Sequence, residues 1–334
     1  MSAARVPHLH RWAPALAETL PYLPLGTPPT PVRPLDGLDD VWVKEEGAYG
    51  DGRWGGNKIR KLEWTLPDAR RQGRSTILTF GATGTNHGLA TARYAIDHGF
   101  DAAVAVTDQP EDEHVRANFA RLRASGAAVH RTHTTRRTKL AAPWLLLRHR
   151  RPYVLPPGGS SPVGALGYVE ASFEIAEQVE RGELPRPSTI VCAVGTAGTM
   201  AGLLLGLRLA GLDDVRVQGV VVNDALPLDP ERTTRLAAKA AQVLRRRGAT
   251  VGDAQLPTVA DARMTYDALG PGYGHATEQG TRAQRAALDR WSLQLDPVYT
   301  AKAFGHLLDA DRPREHGATL RRPVLFLDTN GPRP

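Results

Sequence analysis

Short apolar runs alternate with longer segments of helical period through almost the whole of this chain, and few folds accept that order. The runs "VWVKEE" (41–46), "STILTF" (75–80), "DAAVAVT" (101–107), "STIVCAVG" (188–195), "VRVQGVVV" (215–222) and "PVLFLDT" (323–329) read as strands. Helical period predicts helices over 58–73, 86–99, 112–126, 199–210, 230–247, 277–291 and 298–310, and a long one after the Gly/Pro loop "PPGGSSP". In the first, Ile59, Leu62 and Leu66 share a face and Gly73 is a stop signal. After "AAVHRT" (127–132) the regularity weakens until that Gly/Pro loop. Such β-α alternation implies an α/β fold, mostly parallel sheets flanked by helices. Ligands then bind at loops leaving the carboxyl ends of strands. Three glycine-rich loops fall there: "FGATGTNHG", "AVGTAGTMAG" and "LDTNGPRP".

Composition narrows the classes. With 334 residues there is room for about two domains. A single cysteine, Cys192 in the apolar run "TIVCAVG", excludes an intrachain disulfide and a Cys-based zinc site and reads as a buried thiol. No metal site is expected. The N-terminus lacks the apolar core of a signal peptide, and no stretch approaches the ~20 apolar residues of a bilayer span. A cytoplasmic protein without a membrane partner is expected. The net charge of +7 comes mostly from arginine, in the clusters "RRTKLAAPWLLLRHRRP", "LRRRG" and "RPREHGATLRRP". None matches a nucleic-acid reader module, so no specific nucleic acid is expected. A non-enzymatic polyanion-binding protein is the alternative from another class, though it leaves the ordered loops unexplained.

Those loops decide the chemistry. "GTAGTMAG" (195–202) follows a strand and opens a helix, where backbone N–H groups and the helix dipole converge on an anion. Its glycines miss the G-x-G-x-x-G spacing, and no acidic ribose partner follows, which argues against a dinucleotide. "GRWGGNKI" fails as a P-loop, with isoleucine where a hydroxyl should bind Mg²⁺. What survives is a phosphate cradle of small residues plus Lys58, set behind Gly55-Gly56-Asn57 at the mouth of a helix. A Schiff-base lysine beside a phosphate at a helix N-terminus is the arrangement of pyridoxal 5'-phosphate (PLP) enzymes. Lys61, one turn on, supplies a second cation.

"GGNKIRKLEW" resembles the signature of the fold-type-II PLP family of D-cysteine desulfhydrase and 1-aminocyclopropane-1-carboxylate (ACC) deaminase. "TNH" (85–87), "PGGSSPVGALGYVEA", "GTAGT", "GPGYGHATEQG", "LDPVYTAKA" and "LFLDTNGPRP" follow in that family's order, so the similarity runs from about residue 22 to the end. The resemblance implies a two-domain, tryptophan synthase β-like architecture. Residues 1–61 and 161–334 would form the large PLP-binding domain and 62–160 a small α/β domain. It also implies a homodimer.

Site roles follow from the same resemblance. Lys58 would bind PLP covalently and shuttle protons, with Asn57 orienting its amine. Gly195, Thr196, Ala197, Gly198 and Thr199 would hold the phosphate, helped by Lys61. Asn86 would meet the ring hydroxyl and also cap the helix that begins there. Thr329 would face the pyridine nitrogen, and Thr85, Asn86 and His87 would grip the substrate carboxylate. Tyr273 and Tyr299 match two active-site tyrosines. ACC deaminase-like sequences carry glutamate after the second tyrosine and glutamine after the loop asparagine, whereas Thr300 and His87 stand here, as in desulfhydrase-like sequences. The implied reaction is α,β-elimination from a small amino acid, giving a 2-oxo acid and ammonia, with ring opening as the alternative. Gly84, Thr85, His275, Ala276, Asp328 and Asn330 depart from the family pattern, which implies a substrate other than D-cysteine.

Overall fold

A computed structural model describes residues 5–50, 56–310 and 320–331. Gly55 and most of the basic run "RPREHGATLRRP" lie outside the described residues. The chain opens with α1 (His8–Trp12), α2 (Leu16–Thr19), β1 (Val32–Pro34), β2 (Val41–Glu45) and α3 (Lys58–Arg71). Strands β3 (Thr76–Ala82), β4 (Asp101–Thr107), β5 (Ala128–His133) and β6 (Tyr153–Leu155) alternate with α4 (Asn86–Asp97), α5 (Glu113–Ala124) and α6 (Thr135–Arg148). Then follow α7 (Pro162–Glu180), β7 (Thr189–Val194), α8 (Gly198–Leu209), β8 (Arg216–Val221) and α9 (Pro230–Arg246). Last come β9 (Ala262–Thr265), α10 (Glu278–Trp291), α11 (Thr300–Ala310) and β10 (Val324–Asp328).

Two sheets result, ordered β1-β2-β10-β7-β8-β9 and β5-β4-β3-β6. Among the described residues only the β1–β2 pair is antiparallel. Parallel strands need helical crossovers, which cover both faces of a sheet and explain why runs such as "TIVCAV" are apolar throughout. In the larger sheet, α8 is buried almost all round. Its glycines make that possible. A Cβ on Gly202 would meet the Ala165 carbonyl at 2.4 Å, and one on Gly206 would meet Ser172 Oγ at 2.5 Å, so α7 packs against bare backbone.

Helix α3 corrects the one-face expectation. Ile59, Leu62 and Leu66 do pack against the smaller sheet, but Trp64 enters a second core with α7, α8 and α9. Its polar residues are buried as well. Arg60 donates to Glu46 Oε2 (2.7 Å) and Glu174 Oε1 (2.9 Å), and Lys44 Nζ reaches the same Glu174 oxygen at 2.7 Å. A helix can be buried on every side when its charges meet partners, and periodicity of apolar residues does not register this. The irregular stretch after 132 is also a helix, α6. It contains Pro143 and has one buried residue, Leu145, so its pattern carries little period.

Candidate active site

Lys58 is the first residue of α3, and its Nζ donates to Asn57 Oδ1 at 2.8 Å. The other end of the same amide donates from Nδ2 to Thr199 Oγ1 at 3.4 Å. Asn57 therefore links the amine to the first turn of α8. Gly56, at φ +111°, lets this loop pass the end of β10: a Cβ there would stand 3.2 Å from the Thr329 carbonyl oxygen.

The start of α8 is built as an anion cradle. Ala197 adopts the left-handed φ of 63° and gives the helix no side-chain cap. Ser160 Oγ donates to Thr196 Oγ1 (2.7 Å) and accepts from the Gly198 N–H (3.0 Å), which ties the loop before α7 to the cradle. A Cβ on Gly198 would lie 2.4 Å from Ser160 Oγ and 3.0 Å from Lys61 Nζ. Lys61 is buried there, donating to the Gly158 carbonyl at 3.0 Å. Burial, and then the charge of Lys58, push its amine well below the usual lysine range. A buried cation beside open helix N–H groups is stabilised by an anion.

On the other wall, the loop before α4 supplies Thr85, Asn86 and His87. Thr85 rather than Asn86 caps α4, its Oγ1 accepting from the Gly88 N–H at 3.0 Å. The extended backbone of Thr85 makes it the cap, and Asn86 is already the first helical residue. Asn86 Oδ1 accepts from Asn118 at 2.7 Å, so α5 fixes its orientation. His87 is buried, its ring bonded to Thr79 Oγ1 at 2.9 Å and close to Thr91 Oγ1 at 3.4 Å. Burial, with Lys58 and Lys61 nearby, pushes His87 well below the usual imidazole range and keeps it neutral.

Tyr273 and Tyr299 meet through their hydroxyls at 2.6 Å with rings inclined at 70°. Tyr299 lies over Gly195, where a Cβ would stand 2.8 Å from its ring. The Tyr273 N–H is held by Asp224 Oδ1 at 2.9 Å. Burial raises the Tyr273 phenol, which stays protonated. Asp296 caps α11, taking the Tyr299 N–H and the Thr300 hydroxyl. These walls enclose one cavity of about 600 Å³, lined by Asn57, Lys58, Thr85, Asn86, His87, Gly195, Thr196, Ala197, Thr199, Tyr273, Tyr299 and Thr329. Lys61 and Gly198 stand behind its wall. Asn223 Nδ2 donates to the Gly195 carbonyl at 2.8 Å; the sequence motifs assign no role to it, or to Ser160, Asn118 or Asp296. Each acts through hydrogen bonds to its neighbours or a cap, and no spacing rule marks such a residue. Cys192 is buried, and burial pushes its thiol up to about 12.

Two mostly parallel sheets, a lysine at the cleft and an uncapped helix N-terminus behind it define a chain built to hold a phosphorylated cofactor that binds an amine. Residues 23–327 match the model of the pyridoxal-phosphate dependent enzyme family, and the chain belongs to that family. It is 33% identical over 330 residues to D-cysteine desulfhydrases of Salmonella schwarzengrund (strain CVM19633) and Salmonella newport (strain SL254), covering 93% of this chain and 94% of each relative. A solved ACC deaminase homologue superposes with a TM-score of 0.79 at 31% identity, covering 97% of this chain and 95% of that one. A threonine deaminase from T.th. shares the fold at a TM-score of 0.62 and 21% identity, with 98% and 97% covered. The chain is a PLP-dependent enzyme. The residues fit that cofactor: the uncapped α8 terminus and Lys61 suit its phosphate, and Lys58 opens on the same cavity.

Proposed function

We propose that this enzyme is a lyase that removes the β-substituent and the amino group of a small amino acid, as the named desulfhydrases suggest. The observation that carries it is the pairing, in one cavity, of an oriented amine with a neutral hydroxyl pair. PLP, when bound, supplies an electron sink for negative charge at the substrate α-carbon. Lys58 is the group to take and return the α-proton, with Asn57 Oδ1 fixing its Nζ. The Tyr273–Tyr299 pair holds a proton for the departing β-group, because a phenol raised by burial remains a donor. The β-substituent leaves with its bonding electrons, and the remainder takes up one water to become a 2-oxo acid and ammonia. Thr85 to His87, at the N-terminus of α4, are the proposed grip for the substrate carboxylate.

Two features favour elimination over ring opening. Thr300, the residue after the second tyrosine, is buried and folded back on Asp296, so that position presents no carboxylate to the cavity. Thr329 lines the cavity at the end of β10, where a neutral hydroxyl does not hold the ring nitrogen protonated. The likeness to an ACC deaminase homologue keeps ring opening as the second reading. We further propose the two-domain division at 62–160 and a homodimer, both from the family resemblance, and cytoplasmic placement.

The test compares D-cysteine, β-chloro-D-alanine, L-cysteate, D-serine and ACC for release of pyruvate or ketobutyrate. Pyruvate from a β-substituted amino acid is expected, and release from ACC alone would overturn elimination. Efficient D-cysteine turnover would refute the expectation of a different substrate. Borohydride should fix PLP to the peptide bearing Lys58 in wild type and not in Lys58→Ala, read by mass.

A further inference from the structure

One stretch of the chain concentrates positive charge. From His114 to Val169 the chain holds ten arginines and lysines and no aspartate or glutamate, more positive charge than the net +7 of the whole. Nine of the ten are exposed, on α5, β5, α6 and the turn into β6. Among the described residues only Arg131 has a carboxylate partner, Asp108 at 2.8 Å.

Helix α6 adds a second feature. Leu145 is its one buried residue and faces the smaller sheet with Leu78, Ala103 and Ala105. At about 100° per residue, Leu140 and Leu147 project roughly 140–160° away from Leu145, toward solvent. They are 73% and 79% exposed, and Trp144 beside them is 52% exposed. The Trp144 ring stands edge-on to His130, with centroids 5.3 Å apart. Arg136 and Arg137 flank this stripe at one end, and Arg148, Arg150 and Arg151 at the other. The outer side of α6 is therefore apolar along its crest and cationic at both ends.

We propose that this face docks on an anionic lipid bilayer, with α6 lying in the interfacial plane. Leucine and tryptophan would enter the headgroup–acyl boundary, and the arginines would meet lipid phosphates. Charge complementarity selects the occupant. A second copy on the same face would oppose the arginines of α6, a helix that carries no acidic residue. Nucleic acid would satisfy the arginines but leave the leucines in water. An acidic protein would need a shaped pocket for each protruding leucine, whereas fluid acyl chains take any shape. No helix among the described residues is long and apolar enough to cross a membrane. The sequence-based expectation of no membrane partner rests on that spanning criterion, which does not bear on surface attachment.

The test is co-sedimentation of the PLP-loaded protein with vesicles of phosphatidylcholine, with or without phosphatidylglycerol. Binding is expected only with the anionic lipid and should fall at raised salt. The double variant Leu140→Ser/Leu147→Ser should bind about tenfold or more weakly while keeping its melting temperature. Arg136→Gln/Arg137→Gln should bind more weakly and lose part of the salt dependence. Brominated lipids should quench fluorescence in wild type and not in Trp144→Phe. No sedimentation with anionic vesicles would overturn the proposal. So would anionic binding indifferent to both leucines, or tight single-stranded DNA binding in place of vesicle binding.

Discussion

Asp328 and Thr329 are neighbours at the end of β10 with opposite surroundings. Thr329 opens on the cavity, while Asp328 is buried and aligned with Glu45 across the β2–β10 register. Burial, with Asp296 and Glu45 near it, pushes the Asp328 carboxyl up to about 8, although the Asn330 N–H donates to it at 3.1 Å. The folded state thus holds a proton that the unfolded chain releases near pH ~3.9. Stability contributed by this group falls as pH rises from about 4, and the loss is complete above about 8. Asp328→Asn keeps the acceptor for Asn330 and cannot ionise. It is expected to melt with wild type at low pH and several degrees above it beyond pH ~8; equal melting at both ends would refute the assignment. Lys61 runs the other way. Its amine is pushed down by burial and by Lys58, so it weakens the ligand-free fold below the usual lysine pKa and regains that loss as pH rises toward about 10.4. An anion against Nζ removes the deficit. PLP and inorganic phosphate should both raise the wild-type melting temperature, and Lys61→Met should bind each about ten- to a hundredfold more weakly. Unchanged phosphate affinity in that variant would place the cradle elsewhere.

At the scale of elements, the first turn of α8 does the most with the fewest side chains. Gly198 is required there because Ser160 Oγ and Lys61 Nζ occupy the space of a Cβ. Gly198→Ala is expected to keep its far-ultraviolet dichroism and lose PLP absorbance through at least tenfold weaker binding; wild-type loading would contradict the cradle. This loop was legible in the sequence, since glycines between a buried strand and a helix follow from backbone geometry alone. Lys58 and the Tyr273 and Tyr299 loops were legible through ordered motifs. Other parts were not. Helix α6 turns apolar residues both inward and outward, which erases period. Arg60 and Glu63 on α3 look like solvent residues in one dimension and are buried in three. Short elements such as β1, β6 and β9 are held by the sheets they join, with three or four residues each and little pattern of their own. Asn86 looked like a helix cap because asparagine favours that position, but the extended conformation of Thr85 moved the cap back one residue.

At the scale of the molecule, the site joins pieces that belong to different cores. Lys58 and Lys61 lie on α3, which packs Ile59 and Leu62 into the core of the smaller sheet and Trp64 into that of α7 to α9. The proposed phosphate cradle rides on α8 behind the larger sheet, and Asn86 rides on α4 beside the smaller one. A cofactor held by all three ties the sheets together through its own contacts, and bound ligand stabilises the fold by about 2.7 kcal/mol at a hundredfold excess over Kd. That stabilisation should be shared between the two sides. Amide hydrogen exchange, compared with and without PLP, should slow in the first turns of both α8 and α4. Because Asn118 fixes Asn86 from α5, Asn118→Ala should reduce the protection at α4 while leaving that at α8. Protection confined to α8 in wild type would mean that the cofactor is held by the larger sheet alone, and Asn86 would lose its proposed role. Protection of both turns, weakened on one side by Asn118→Ala, would show the cleft closing on the ligand from two independently built walls.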